Sequence, residues 1–418
     1  MQDIYVVGVG MTLFGRHLDK TIKQLTAAAV KDALEDAGCA RERIGAAFFG
    51  NTVQGFMGGQ QFIRGQVALA PLGLQGIPVF NLENACATGS SAFNLAVNYL
   101  RAESTDVAIA VASEKMYSTD KAKMFSVFDS GWDIDTPEEN ERTLLAMGQG
   151  VEVPAGTTST KPYSRFMDIY AAYGRQLMRN SGVTQRQIAI VAAKNHAHAV
   201  HNERAQYRQA MTPEEVLAAP PITYPLTLPM CAPVSDGAAA VILCTGEALA
   251  RHGFNRQRAV KVLASVMRSA TTRDADDLDK HVTRLAALCA YELAGVGPRD
   301  IDVIECHDAT AIGELVQMEA LGICKQGECG ALAESGATTI GGRVPVNPSG
   351  GLESKGHPIA ATGLGQIFEL VQQLRGECGP RQVEGARLAL HENGGGLWGV
   401  EEAAAHVGIF ARGQVISR

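Results

Sequence analysis

Short apolar stretches alternate with longer amphipathic ones along this chain, and the alternation is run through twice. Ile4 to Gly10, Ala46 to Gly50, Ile77 to Phe80 and Val107 to Ala112 are short runs of strand type. Between the first two, residues 21–37 put Leu25, Ala28, Ala29, Ala33 and Leu34 on one side of a helix that Gly38 stops. After Pro229 the pattern returns with a strand over Ser235 to Leu243. It then starts again with a strand at Val260 to Val266, a helix over Asp279 to Ala294 and a short strand at Val303 to His307. Helices over Ile312 to Leu321 and Ala360 to Arg375 follow, then closing strands at Leu388 to His391 and Gly408 to Phe410. Apolar strands alternating with helices predict an α/β fold with a largely buried sheet. The repeated grammar, without obvious sequence identity, predicts a duplicated architecture.

From Glu114 to Met230 the pattern breaks. Asp129 to Glu141 is acidic and turn-rich, and Glu152 to Pro162 is rich in Thr, Gly and Pro. Helical stretches at Tyr163 to Asn180 and Thr184 to Arg204 carry Arg165, Arg175, Arg179, Arg186, Lys194 and Arg204. An insertion this long is usually functional; its cations suit either a phosphate-bearing ligand or a solvated helix face. Net charge is −7 with no basic block, which argues against nucleic acid. Nine scattered cysteines, an odd count, argue for reduced thiols and a cytoplasmic setting, and Cys324 and Cys329 are too isolated for a zinc site. No apolar run is long enough for a membrane span, and the N-terminus lacks the features of a signal peptide. Gly8-Val9-Gly10 lacks the rest of the dinucleotide pattern and reads as a tight turn.

One stretch carries chemistry. Asn81-Leu82-Glu83-Asn84-Ala85-Cys86-Ala87-Thr88-Gly89-Ser90-Ser91 lies between a strand and the helical spacing of residues 92–100. At a strand-to-helix junction, free N–H groups and the helix dipole favour an anion, so Cys86 is expected to have a lowered pKa and to serve as a nucleophile. The alternative is a buried cysteine packed as a small hydrophobe. Three further stretches set polar residues among small ones after an apolar strand: His307-Asp308-Ala309-Thr310, Asn347 to Pro358, and His391-Glu392-Asn393-Gly394-Gly395-Gly396. Ligands of α/β sheets gather at the carboxyl ends of strands. A cysteine with two or three histidines is the inventory for an activated thiol and an oxyanion site.

Asn84-Ala85-Cys86-Ala87-Thr88-Gly89-Ser90, Ser235-Asp236-Gly237-Ala238-Ala239-Ala240, His307-Asp308 and Asn347-Pro348-Ser349-Gly350-Gly351 with Gly356-His357-Pro358 resemble, in order, the thiolase superfamily. The branch most similar is that of the sterol-carrier-protein-2-type thiolases and their bacterial and archaeal relatives. The resemblance implies a five-layered αβαβα fold from two duplicated halves, residues 1–113 with 231–255 and residues 256–418. It also implies a loop domain at 114–230 covering coenzyme A, a homodimer, a coenzyme A thioester as substrate, and neither a tightly bound cofactor nor a metal. Cys86 would take the acyl group, His357 would accept its proton and face the thioester oxygen, and His307 would share that oxyanion site. The backbone N–H groups of Cys86 and Gly394 would form a second oxyanion hole. Ser349 and Gly350, with Arg165 and Lys194, are the candidate coenzyme A contacts. Relatives of this branch often work with a small zinc-ribbon/OB-fold subunit, which is a further implied partner.

This chain departs from the pattern in one respect. Thiolases move an α-proton with a second cysteine, which either follows the His-Asp pair or precedes the glycine run. Here those places hold Ala309 and Glu392. A carboxyl in a dry site can shuttle a proton, so Glu392 is the expected substitute. Three functions stand open: Claisen or retro-Claisen chemistry through an acyl-Cys86, on an aromatic or branched β-ketoacyl-CoA; a retro-aldolase acting on steroid or acyl side chains; and a non-catalytic lipid-carrier-like subunit.

Overall fold

The computed structural model describes residues 2–413, so the outermost residues of the two expected halves lie outside it. Its strands in chain order are β1 Ile4–Met11, β2 Ala46–Gly50, β3 Val79–Leu82, β4 Val107–Glu114, β5 Pro221–Thr223, β6 Leu226–Thr227, β7 Gly237–Thr245, β8 Val260–Ser269, β9 Val303–Glu305, β10 Leu388–Gly395 and β11 Ala404–Arg412. All but β5 and β6 form one sheet, in the order β3-β2-β4-β7-β1-β8-β11-β10-β9. The β1/β8 junction spans only the pairs Ile4–Val262, Tyr5–Lys261 and Val6–Val260. Outward from that junction the two sides repeat each other: β1, β7, β4 and β2 on one side are matched by β8, β11, β10 and β9 on the other. A bridge from Ile304 to Val346 stands where β3 pairs with β2. The duplication anticipated from the sequence is therefore a pseudo-symmetric pair of half-sheets.

Two helices, Thr88–Arg101 and Thr362–Arg375, lie between the half-sheets. Phe93, Leu100, Leu364, Leu370 and Leu374 are wholly buried there with residues of both halves, each burial being worth roughly 1.5–3 kcal/mol. The helix Ile22–Ala37 covers the outer face of the N-terminal half-sheet, and the helices Val282–Ala294 and Ala311–Ala320 cover that of the other. This is the αβαβα layering. Ile22–Ala37 begins where expected because Thr21 and Gln24 form a reciprocal cap, and Gly38 ends it in the left-handed conformation.

Two local expectations change. The acidic segment near 129–141 is partly helical: Pro137–Ala146 starts with proline in its first turn and places Glu138 and Glu139 at the positive end of the dipole. The glycine-rich stretch after Leu388 is strand as far as Gly395, because β11 pairs along its whole length. The Val107–Glu114 strand lies between β2 and β7 and has no free edge. The open edge belongs to β3, where Phe80 is exposed. Among the described residues no helix is long and apolar enough to cross a membrane.

Candidate active site

The two central helices meet at their N-terminal ends, and small residues permit it. A Cβ on Gly89 would lie 2.6 Å from the carbonyl oxygen of Ala360, and one on Gly363 would lie 2.9 Å from the Ser90 nitrogen. Cys86 sits in the turn just before one helix, and His357 lies shortly before the other. Close crossing thus brings residues from the two halves to one point. Ala85, at φ +48°, bends the chain so that Cys86 faces inward. A Cβ on Gly395 of β10 would lie 2.5 Å from the Ala87 nitrogen, so the glycine run is what lets β10 pack against this turn.

Sγ of Cys86 and ring nitrogens of His307 and His357 all lie within 4.8 Å of one another. They line a cavity of about 320 Å³ with Glu83, Phe56, Phe128, Phe166, Tyr170, Ala309, Leu397 and Glu402. Phe128, Phe166 and Tyr170 come from the 114–230 insertion, which therefore roofs the cavity. Among the described residues the same three ligand atoms are the one group of His, Cys and carboxylate side chains close enough to hold a metal ion.

The Cys86 thiol departs from expectation. Burial, then the carboxylates of Glu402, Glu114 and Glu83, push its pKa up rather than down. The helix terminus is real, but desolvation and three nearby carboxylates outweigh it. A neutral thiol needs a base at hand. Burial and the neighbouring His307 hold His357 well below the ordinary histidine range, so its ring is neutral. Its Nδ1 lies 2.7 Å from Oγ1 of Thr362, whose hydroxyl can donate to the Pro358 carbonyl. Nδ1 is then the protonated nitrogen, and Nε2 is left as an acceptor. Nδ1 of His307 lies 3.3 Å from Oε1 of Glu402, while its buried Nε2 has no partner.

Behind the cavity runs a buried polar frame. Lys355 pairs with Glu305 at 3.0 Å, and Ser349 gives Glu305 both its backbone N–H and its hydroxyl, at 3.0 and 2.8 Å. Glu305 precedes His307 by two residues and Lys355 precedes His357 by two, so this pair sets the spacing of the histidines. Ser235 accepts the backbone N–H of His357, and Asp236 accepts those of His17, Met116 and Tyr117.

The remaining candidates lie elsewhere. Ser349 is spent on Glu305, and Gly350, at φ +101°, is packed against Ala199. Lys194 is buried on Glu314 and the Val346 carbonyl, with no free face for a phosphate. Arg165 is at the surface, 3.6 Å from Glu141. Glu392 is wholly buried behind His307, whose backbone N–H it accepts at 2.8 Å, and it does not line the cavity. Gly394 pairs opposite Ala405, and the space its side chain would take is filled by Glu402. His391 is a core residue bonded to His406 and Gln366. The residue missed from sequence is Glu402. Its only signal is an acidic pair, Glu401-Glu402, between a glycine turn and a buried strand.

The duplicated α/β scaffold thus sets a cysteine at one helix start beside a neutral histidine of the other half. The family models Thiolase, N-terminal domain, and Thiolase C-terminal domain-like match residues 4–219 and 264–407. The acetyl-CoA acetyltransferase of Methanothermobacter thermautotrophicus is 36% identical over 99% of this chain and 100% of its own length. Human sterol carrier protein 2 is 35% identical over 94% of this chain and 70% of its length, and the benzoylsuccinyl-CoA thiolase subunit BbsB of Thauera aromatica 33% over 94% and 95%. Among solved structures, an Ltp2-ChsH2(DUF35) aldolase shares the fold at TM-score 0.77 and 19% identity, covering 99% of both chains. Human mitochondrial 3-ketoacyl-CoA thiolase does so at 0.70 and 17%, over 98% and 99%. The chain belongs to the thiolase family and is an acyl-CoA acyltransferase.

Proposed function

We propose that this acyltransferase makes or cleaves the C–C bond of a β-ketoacyl-CoA through an acyl-Cys86 intermediate, with an aromatic or branched acyl group. The observation that carries the reading is the meeting of Cys86, His307 and His357 within 4.8 Å at the cavity floor. His357 Nε2 takes the thiol proton as sulfur attacks the thioester carbonyl; the bond to coenzyme A then breaks and the departing thiolate takes that proton from His357, while His307 Nε2 faces the same space. Phe56, Phe128, Phe166 and Tyr170 support the aromatic preference. Aldol cleavage needs no acyl-enzyme, so the approach of His357 to the thiol favours acyl transfer over it. We also propose a cytoplasmic homodimer and a small zinc-ribbon/OB-fold partner subunit; the second component named in the Ltp2-ChsH2(DUF35) aldolase structure supports a partner.

The test is to mix the protein with radiolabelled acyl-CoA, quench in acid and map the label. Label on the peptide containing Cys86, absent from Cys86→Ala, is the expected result. Full turnover by Cys86→Ala would overturn the covalent route.

A further inference from the structure

The position that holds a second cysteine in the sterol-carrier type lines the cavity but carries only the methyl group of Ala309. The other such position, Glu392, is turned away behind His307. A group that moves the α-proton must therefore come from elsewhere. We infer that Glu402 is the catalytic base and acid at the α-carbon, presented by the turn between β10 and β11.

Three observations converge on it. Glu402 lines the same cavity as Cys86, His307 and His357, and among the carboxylates it exerts the strongest charge effect on the Cys86 thiol. Its carboxylate is fixed: Oε1 meets Nδ1 of His307 at 3.3 Å, and the Gln317 amide donates to both oxygens at 3.2 and 3.3 Å. Room for it is built in, since a Cβ on Gly394 would lie 2.5 Å from its carboxyl carbon and Oε1. Its neighbour Glu401 is locked the other way by Arg273 and the Val282 N–H, at 2.7 and 2.9 Å. One acid of the pair anchors the turn and the other is delivered to the cavity. Burial alone would raise Glu402, but the His307 hydrogen bond and charge keep it below the usual range and ionised, as a base must be.

The step follows, and it rests on the acyl-Cys86 function proposed above. With Cys86 acylated and a second acyl-CoA bound, the C–H bond at its α-carbon breaks and the proton passes to a Glu402 oxygen. The electron pair left behind forms an enolate. The enolate carbon attacks the acyl carbon on Cys86, the new C–C bond forms, and the C–S bond breaks. The departing thiolate takes back the proton from Glu402, which restores both groups.

The experiment compares wild type with Glu402→Gln, Glu402→Asp and Glu392→Gln, using acetyl-CoA in deuterated water and, separately, radiolabelled acetyl-CoA. Glu402→Gln should lose about 10²- to 10⁴-fold in deuterium exchange of the acetyl group while still taking label onto Cys86, which also shows that it folds. Glu402→Asp should recover part of the exchange, and Glu392→Gln should keep most of it. Unchanged exchange in Glu402→Gln, or loss confined to Glu392→Gln, overturns the assignment. Exchange without label on wild-type Cys86 would instead overturn the acyl-enzyme, and the exchange comparison would still decide the role of Glu402.

Discussion

Glu114, the last residue of β4, accepts the backbone N–H of Ala360 at 3.3 Å and so ties the N-terminal half-sheet to the turn that follows His357. Its two oxygens also accept the N–H groups of Thr52 and Val53, both at 3.1 Å, and the Asn51 amide at 2.9 Å. The carboxyl is wholly buried, and burial pushes its pKa from 4.5 to about 7 against those hydrogen bonds.

A pH dependence of stability follows. Between the two values the folded protein keeps a proton that the unfolded chain has lost. The stabilising contribution is complete below about pH 4.5 and is lost as pH rises through about 7. Each pH unit across that interval is worth about 1.4 kcal/mol, so the whole loss is about 3 kcal/mol. Urea unfolding at several pH values should show wild type losing about that much more than Glu114→Gln across this interval. Parallel curves for the two proteins would contradict it.

Alkylation of Cys86 reports its raised pKa. The rate of inactivation by iodoacetamide should still be climbing at pH 9, where an unperturbed thiol is half ionised. At pH 7 the reaction depends on His357 taking the proton, so His357→Ala should slow it by about 10²-fold or more. A plateau below pH 8 would mean that the helix terminus prevails over burial and the three carboxylates.

Sequence shows the fold class, the duplication and the three residues that meet, because strand-helix alternation and short motifs are local signals. It does not show which way side chains face. Glu392 and Glu402 are both acids near the glycine run. Only the full-length pairing of β10 with β11 puts one behind His307 and the other in the cavity. Lys194 reads as a phosphate contact because a buried ion pair across 120 residues leaves no mark on one segment. The direction of the Cys86 pKa is hidden for the same reason, since Glu114 and Glu402 approach the thiol only in three dimensions.

Strand β3 bears on assembly. It is an edge strand with Phe80 exposed, and Leu95 is exposed on the helix that follows. Phe80 stacks on Phe48 at 5.0 Å and meets Tyr99 at 5.6 Å, giving a rigid apolar rim. Unpaired strand edges invite pairing with another chain. Sedimentation should give a dimer for wild type and a monomer for Phe80→Asp/Leu95→Lys. A wild-type monomer at micromolar concentration would refute the homodimer.

Lys194 separates a ligand contact from a frame residue. Its ammonium pairs with Glu314, and Glu314 also takes the amides of Asn195 and Asn347 at 3.2 and 2.9 Å. Asn347, at φ +54°, accepts on its Oδ1 the backbone N–H of Cys306, next to His307. Removing the cation leaves a buried carboxylate without its partner, which costs roughly 3–5 kcal/mol. Lys194→Met should therefore unfold at markedly lower urea. Adding Glu314→Gln should recover part of the loss, because the amide carries no charge to strand and can still accept from Asn195 or Asn347. Below its unfolding range, Lys194→Met should bind acyl-CoA with nearly unchanged KM. If instead KM rose tenfold or more at unchanged stability, the side chain would be reaching the phosphates of coenzyme A, and the ion pair with Glu314 would have to open when ligand binds.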